Sequence, residues 1–139
     1  CGYYGEKLVL FAQELGLNTC WVAMTYSKIK TAFQVEKGEK LCIVIALGYG
    51  ETQGLPHKSK SMEEVIQLDG PAPEWFQKGV EAALLAPTAM NQQKFLFRLD
   101  KNRVSVKAGF GFYTKIDMGI VKYHFEIGAG KEHFQWELS

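Results

Sequence analysis

The chain has 139 residues, a length that suits one domain able to bury roughly two-thirds of the surface its unfolded form exposes. With 47% hydrophobic residues, 22% charged residues and 16 basic against 15 acidic side chains, it offers no electrostatic case for a nucleic-acid or membrane partner, and no apolar run reaches membrane-spanning length. Its three cysteines, Cys1, Cys20 and Cys42, are odd in number and irregular in spacing, which argues against a disulfide framework or a zinc site and fits a reducing, cytoplasmic compartment.

The chain begins on Cys1 rather than Met and enters a helix almost at once, so the expectation is a fragment of something longer. Tyr3 to Leu15 reads as that helix, with Leu8, Phe11, Ala12 and Leu15 spaced as one buried stripe and Gly16 as its left-handed cap. A polar segment follows from Thr25 to Lys40, with a short helix expected in T-Y-S-K-I-K-T-A-F and a turn in E-K-G-E-K. Leu41 to Leu47 is an unbroken apolar run, which predicts a strand buried on both faces. Gly48, Gly50 and Gly54 open a long loop that lacks a dinucleotide fingerprint.

Ser61 and Glu64 form a candidate capping box before a short helix around Met62 to Ile66. Asp69 to Pro73, rich in turn formers, is the best internal boundary. A second helix is predicted from about Pro73 to Leu85, burying Trp75 or Phe76, Val80, Ala83 and Leu84. Phe95–Leu99 and Val104–Ala108 read as strands joined by a D-K-N-R hairpin turn. Asp117 is placed to cap a helix running to Ile127, with Ile120, Val121, His124 and Ile127 inward and Gly128 and Gly130 at its end. His133 to Leu138 alternates as a last strand. The order predicts an α+β fold with a mixed, mostly antiparallel sheet. One internal echo joins Gly5–Gly16 to Gly119–Gly130, each with a phenylalanine at the same place (Phe11, Phe125); duplication or chance would produce it.

Familiar catalytic constellations are missing. His57, His124 and His133 show no metal-ligand spacing, and neither a nucleophile–base pair nor a P-loop can be argued. A chain this poor in reactive groups, if an enzyme, borrows its chemistry from a cofactor. Two stretches suit a phosphorylated one. In L-P-H-K-S-K-S, Lys58 and Lys60 point to one side of an extended loop, ahead of backbone donors near Ser61; the plain alternative is a solvated basic loop. In A-P-T-A-M-N-Q-Q, Thr88, Asn91 and Gln93 can meet the polar edge of a ring whose body packs on Pro87, Ala89 and Met90; the plain alternative is a solvated loop after a helix.

Together these stretches resemble the nitroreductase-like FMN-dependent flavoproteins. The resemblance rests on G-E-K-L-V-L-F-A-Q-E-L-G-L-N-T-C-W, K-L-C-I-V-I-A-L-G-Y-G-E, L-P-H-K-S-K-S-M-E-E-V and A-P-T-A-M-N-Q-Q in that order. The last loop follows the basic stretch, as in the branch where two half-units are fused in one chain. The resemblance implies a nitroreductase-like sheet flanked by helices and incomplete at its N-terminus, since the family's arginine-rich N-terminal segment has no counterpart here. Residues 1–68 would end the first half and 69–139 form the second, with a missing N-terminal half or pseudo-dimeric partner.

For function, the resemblance implies an NAD(P)H oxidoreductase that passes electrons through FMN to nitro compounds, quinones or similar small acceptors. Lys58 and Lys60 match phosphate-contacting positions, Pro87, Thr88, Ala89 and Asn91 match the loop over the isoalloxazine ring, and Ala23 and Met24 fall where backbone approaches the flavin. No side chain is assigned as catalytic and no metal is expected. The alternatives are a flavin- or ligand-binding module without turnover, whose acceptor side Phe110, Phe112 and Tyr113 would fill, and a structural half awaiting its N-terminal segment.

Overall fold

The computed structural model describes residues 1–29 and 33–137. Contacts divide the chain into two units, one of Cys1–Glu6 with Leu55–Ser139 and one of Lys7–Gly54. Helix α1 (Gly2–Glu14) contributes to both. Gly16 closes it at φ +76°, where only glycine is unstrained, and the Leu17 N–H donates to the Ala12 carbonyl at 2.9 Å in the cap expected of that position.

In the unit Lys7–Gly54, strand β1 (Asn18–Val22) pairs antiparallel with β2 (Val44–Gly48), Trp21 opposite Ile45 and Thr19 opposite Leu47. The apolar run Leu41–Leu47 is therefore not the doubly covered strand its composition predicts. It belongs to a two-stranded sheet, and Leu47 remains 63% exposed. The stripe on α1 is also corrected. Leu8, Phe11 and Leu15 are exposed, whereas Val9 and Ala12 are buried. Leu8, Phe11 and Leu15 line an open apolar groove of about 360 Å³ with Leu17, Ile45 and Leu47. The E-K-G-E-K turn forms, with Gly38 at φ +93° and the Glu39 N–H on the Glu36 carbonyl. Thr25–Ile29 is irregular, and the rest of the short helix expected there includes residues 30–32, outside the described residues.

The larger unit carries the mixed sheet. Its order is β3 (Ile66–Gln67), β4 (Phe95–Asp100), β5 (Arg103–Ala108), β6 (Gln135–Trp136). The β4–β5 hairpin is antiparallel, Phe95 opposite Ala108 and Asp100 opposite Arg103; β3 and β6 add short parallel pairings at the edges. The fold is α+β, as the sequence predicts. Ahead of β3, the Ser61 N–H donates to the Glu64 carboxylate at 2.9 Å, and the helix there is one 3-10 turn, Met62–Glu64.

Helices α2 (Glu74–Ala83) and α3 (Thr114–Ala129) pack together. Phe76, Val80 and Ala83 of α2 and Leu84 just after it are buried, as are Ile120, Val121, His124 and Phe125 of α3, but Ile127 faces solvent. Close approach requires Gly79, where a Cβ would lie 2.6 Å from the Phe125 ring. Around that contact Phe97 stacks on Phe125 at 4.8 Å, and Phe76 and Phe134 meet Phe125 edge-on at 5.7 and 5.1 Å. Each such ring contributes about 1.5–3 kcal/mol by leaving water, so this aromatic cluster is the core of the unit. Leu138, the end of the expected last strand, lies outside the described residues.

Candidate functional site

The site is built on the connection from α2 to β4. Helix α2 stops before Pro87, which cannot continue it, and the chain then makes a tight loop. Within that loop Met90, Asn91 and Gln93 take left-handed backbone conformations at φ +53°, +51° and +43°. Each costs roughly 1–2 kcal/mol for a residue with a Cβ, so the surroundings must hold the loop in place. The Asn91 and Gln92 N–H groups donate to the Thr88 and Ala89 carbonyls at 2.9 and 3.1 Å. The Gln93 N–H donates to the Thr88 hydroxyl at 3.0 Å.

The loop is laced to the basic stretch. The Asn91 and Gln93 side-chain amides both donate to the Lys58 carbonyl, at 2.9 and 2.8 Å, and Gln93 Nε2 also reaches Asn91 Oδ1 at 2.8 Å. In return the Lys60 N–H donates to Gln93 Oε1 at 2.9 Å and Lys60 Nζ to the Gln93 carbonyl at 3.1 Å. Ser59 and His57 add contacts to the Leu84 and Leu85 carbonyls at the end of α2. Lys58, Lys60, Pro87, Thr88, Ala89 and Asn91 thus share one neighbourhood, with the Lys58 side chain exposed, Lys60 half-buried on its own chain and Met90 87% exposed. Ala23 and Met24 follow β1 in the other unit, Ala23 half-buried and Met24 exposed.

Asp117 differs from its expected role. It does not cap α3, whose first residue is Thr114, preceded by Tyr113 at φ +55°. It lies inside the first turn, buried, and points at the loop. One oxygen accepts the Ala89 N–H at 3.0 Å and the other accepts Gln92 Nε2 at 2.7 Å. Burial pushes the Asp117 carboxyl above the ordinary aspartate value, opposed by the Gln92 and Ala89 hydrogen bonds. Gln92 Nε2 also donates to the Phe112 carbonyl at 2.7 Å, while Lys94 Nζ holds the Phe110 carbonyl at 2.8 Å. The two rings these carbonyls belong to stand in solvent, Phe110 99% and Phe112 76% exposed.

Sequence reasoning missed Asp117 and Gln92 as partners, although a signal existed. Asp117 falls on the same stripe as Ile120, Val121 and His124, and an acid on a buried stripe demands a polar partner. Two more acids are buried and meet polar partners. Glu6 meets His124 Nε2 at 2.8 Å, and Glu126 takes donors from Tyr3, Lys131 and Trp136. Among the described residues no acid, histidine and cysteine cluster is able to hold a metal ion, and no helix is long and apolar enough to cross a membrane.

Three helices with a mixed sheet of this order define a nitroreductase-like fold. The crystal structure of a protein from Thermotoga maritima described as a "putative nitroreductase" superposes with a TM-score of 0.71 at 24% identity, over 91% of this chain and 52% of that one. The chain therefore spans about half the length of that protein. The family model described as "Putative TM nitroreductase" matches residues 1–129, and the chain belongs to that family. No curated protein matches.

Proposed function

We propose that the chain serves an NAD(P)H oxidoreductase of nitroreductase type that uses FMN to reduce nitro compounds, quinones or similar acceptors. One observation carries the reading. In a member of this family, the basic stretch and the polar loop are joined by their own side chains into one surface, with Asn91 and Gln93 on Lys58 and Lys60 on Gln93.

The residues fit a flavin mononucleotide. Lys58, with its ammonium exposed, supplies the cation for a phosphate. Lys60 gives one of its three ammonium hydrogens to the Gln93 carbonyl, which holds the loop and leaves donors for the same phosphate. Pro87, Thr88, Ala89 and Asn91 form the wall for the ring, with the exposed Met90 side chain beside them. When bound, the flavin supplies the redox chemistry, accepting hydride and passing electrons on. The chain's part is to bind and orient it, and no side chain needs to transfer a proton.

Two measurements test this. The purified protein should be yellow or take up added FMN, and should then oxidise NADH or NADPH with a nitroaromatic or quinone acceptor; a folded, colourless protein that refuses FMN sinks the reading. Asn91→Ala, which removes one of the two amide donors on the Lys58 carbonyl and the Asn91 acceptor of Gln93 Nε2 and so loosens the loop, should weaken FMN binding by about tenfold, on the scale of a hydrogen bond's net contribution. Unchanged affinity would return the stretch to plain loop status.

A further inference from the structure

Asp117 grips the 88–93 loop on both shoulders of its left-handed pair. The Ala89 N–H, immediately before Met90 and Asn91, binds one carboxylate oxygen at 3.0 Å; the Gln92 amide, immediately after them, binds the other at 2.7 Å. The Gln92 NH2 group has two hydrogens and two acceptors, Asp117 Oδ2 and the Phe112 carbonyl at 2.7 Å, so both are committed and the amide has one workable orientation. Its oxygen occupies the space a Cβ at Gly111 would need. The bridge thus ties three segments together: the loop, the first turn of α3 and the aromatic segment ending at Tyr113.

We propose that Asp117 and Gln92 are positioning residues, a clamp that keeps the Ala89–Asn91 backbone in its ligand-ready shape. This rests on the flavin reading for what the loop faces, but the clamp itself rests on geometry. It also explains why a carboxylate is kept in a buried place that disfavours its charge: only an ionised Asp117 offers two acceptors to two donors.

Polarity makes the clamp testable. In Asp117→Asn the new NH2 group meets the Gln92 NH2 group, and turning Gln92 over sets its oxygen against the Phe112 carbonyl; either way one bond is lost. In Gln92→Glu two carboxylates face each other. In the double variant the amide introduced at position 117 donates to the carboxylate introduced at position 92, and one bond returns. FMN dissociation constants of the full chain are therefore expected to rise about tenfold in each single variant, with the double variant binding more tightly than Gln92→Glu alone. Losses that simply add, or an Asp117→Asn affinity within twofold of the wild type, would overturn the clamp.

Amide exchange judges the clamp without flavin. The Asn91 and Gln92 amides, which close the loop onto Thr88 and Ala89, should exchange faster in Asp117→Asn, and unchanged rates would overturn it. A folded wild type that leaves FMN unbound overturns the flavin reading instead, and the exchange rates still decide whether the loop is clamped.

Discussion

Glu126 shows how a single buried acid can be made an asset. It sits near the end of α3 and accepts hydrogen bonds from the Tyr3 hydroxyl, from Lys131 Nζ at 2.7 Å and from Trp136 Nε1 at 2.8 Å. Burial favours its neutral form, but the Lys131, Tyr3 and Trp136 donors together outweigh burial and hold the carboxyl below the ordinary glutamate value. A depressed acid contributes stability that is present above its unfolded pKa and is lost as pH falls through its folded one. Glu126→Gln should therefore cost about 1–3 kcal/mol at neutral pH and lose less on acidification, as read by urea unfolding at pH 7 and below pH 4. Parallel pH profiles for variant and wild type would refute this. Asp117 works with the opposite sign: its raised carboxyl contributes stability at low pH that disappears as pH climbs through the folded value. Asp117→Asn should accordingly steepen the acid-side loss that Glu126 produces.

At the scale of elements, the corrected face of α1 gives a sharp comparison. Phe11 is 56% exposed and Val9 8% exposed on the same helix. Phe11→Ser should change stability by less than about 0.5 kcal/mol, while Val9→Ser should cost more than about 1 kcal/mol, in matched denaturant titrations. The sequence supports either face because Leu8 to Ala12 is apolar at every position, so periodicity cannot choose between stripes. It chose correctly for α2, where polar residues separate Phe76, Val80 and Ala83. The β4–β5 hairpin was legible for a similar reason, since D-K-N-R interrupts two strand-like runs, and Lys101 takes the required positive φ of 56°. Strand β1 went unseen because its five residues, though rich in strand formers, show no alternation of buried and exposed positions that periodicity could read. In the site, Lys58, Thr88 and Asn91 were visible as residue types, but their bonds to one another were not. The Asn91 and Gln93 amides also hold neighbouring backbone, and local sequence carries no sign of which carbonyl an amide will meet. The echo between Gly5–Gly16 and Gly119–Gly130 extends to the glycine caps, at φ +76° and +75°, but not to burial: Phe125 is fully buried and Phe11 is exposed.

For the whole molecule, the division into two units implies uneven stability. The larger unit owns the aromatic cluster and the six-residue β4–β5 register, whereas the sheet of the other unit is a single antiparallel pair with Ala46, Leu47 and Gly48 exposed. Isolated two-stranded sheets are marginal in water. Native-state hydrogen exchange should thus protect the amides of Phe97 and Val104 by a larger free energy than those of Cys20 and Ile45. Equal protection would mean that the two units open together.

The left-handed pair at Met90 and Asn91 also shapes what the chain can become. Asparagine tolerates that backbone and glycine accepts it freely, yet position 90 carries a methionine whose side chain is almost wholly in solvent. A saturation library at Met90 selected for folding alone should drift towards glycine and asparagine. The same library selected for flavin uptake should keep a bulky apolar side chain. The gap between the two outcomes would measure how far this residue answers to its ligand rather than to its fold.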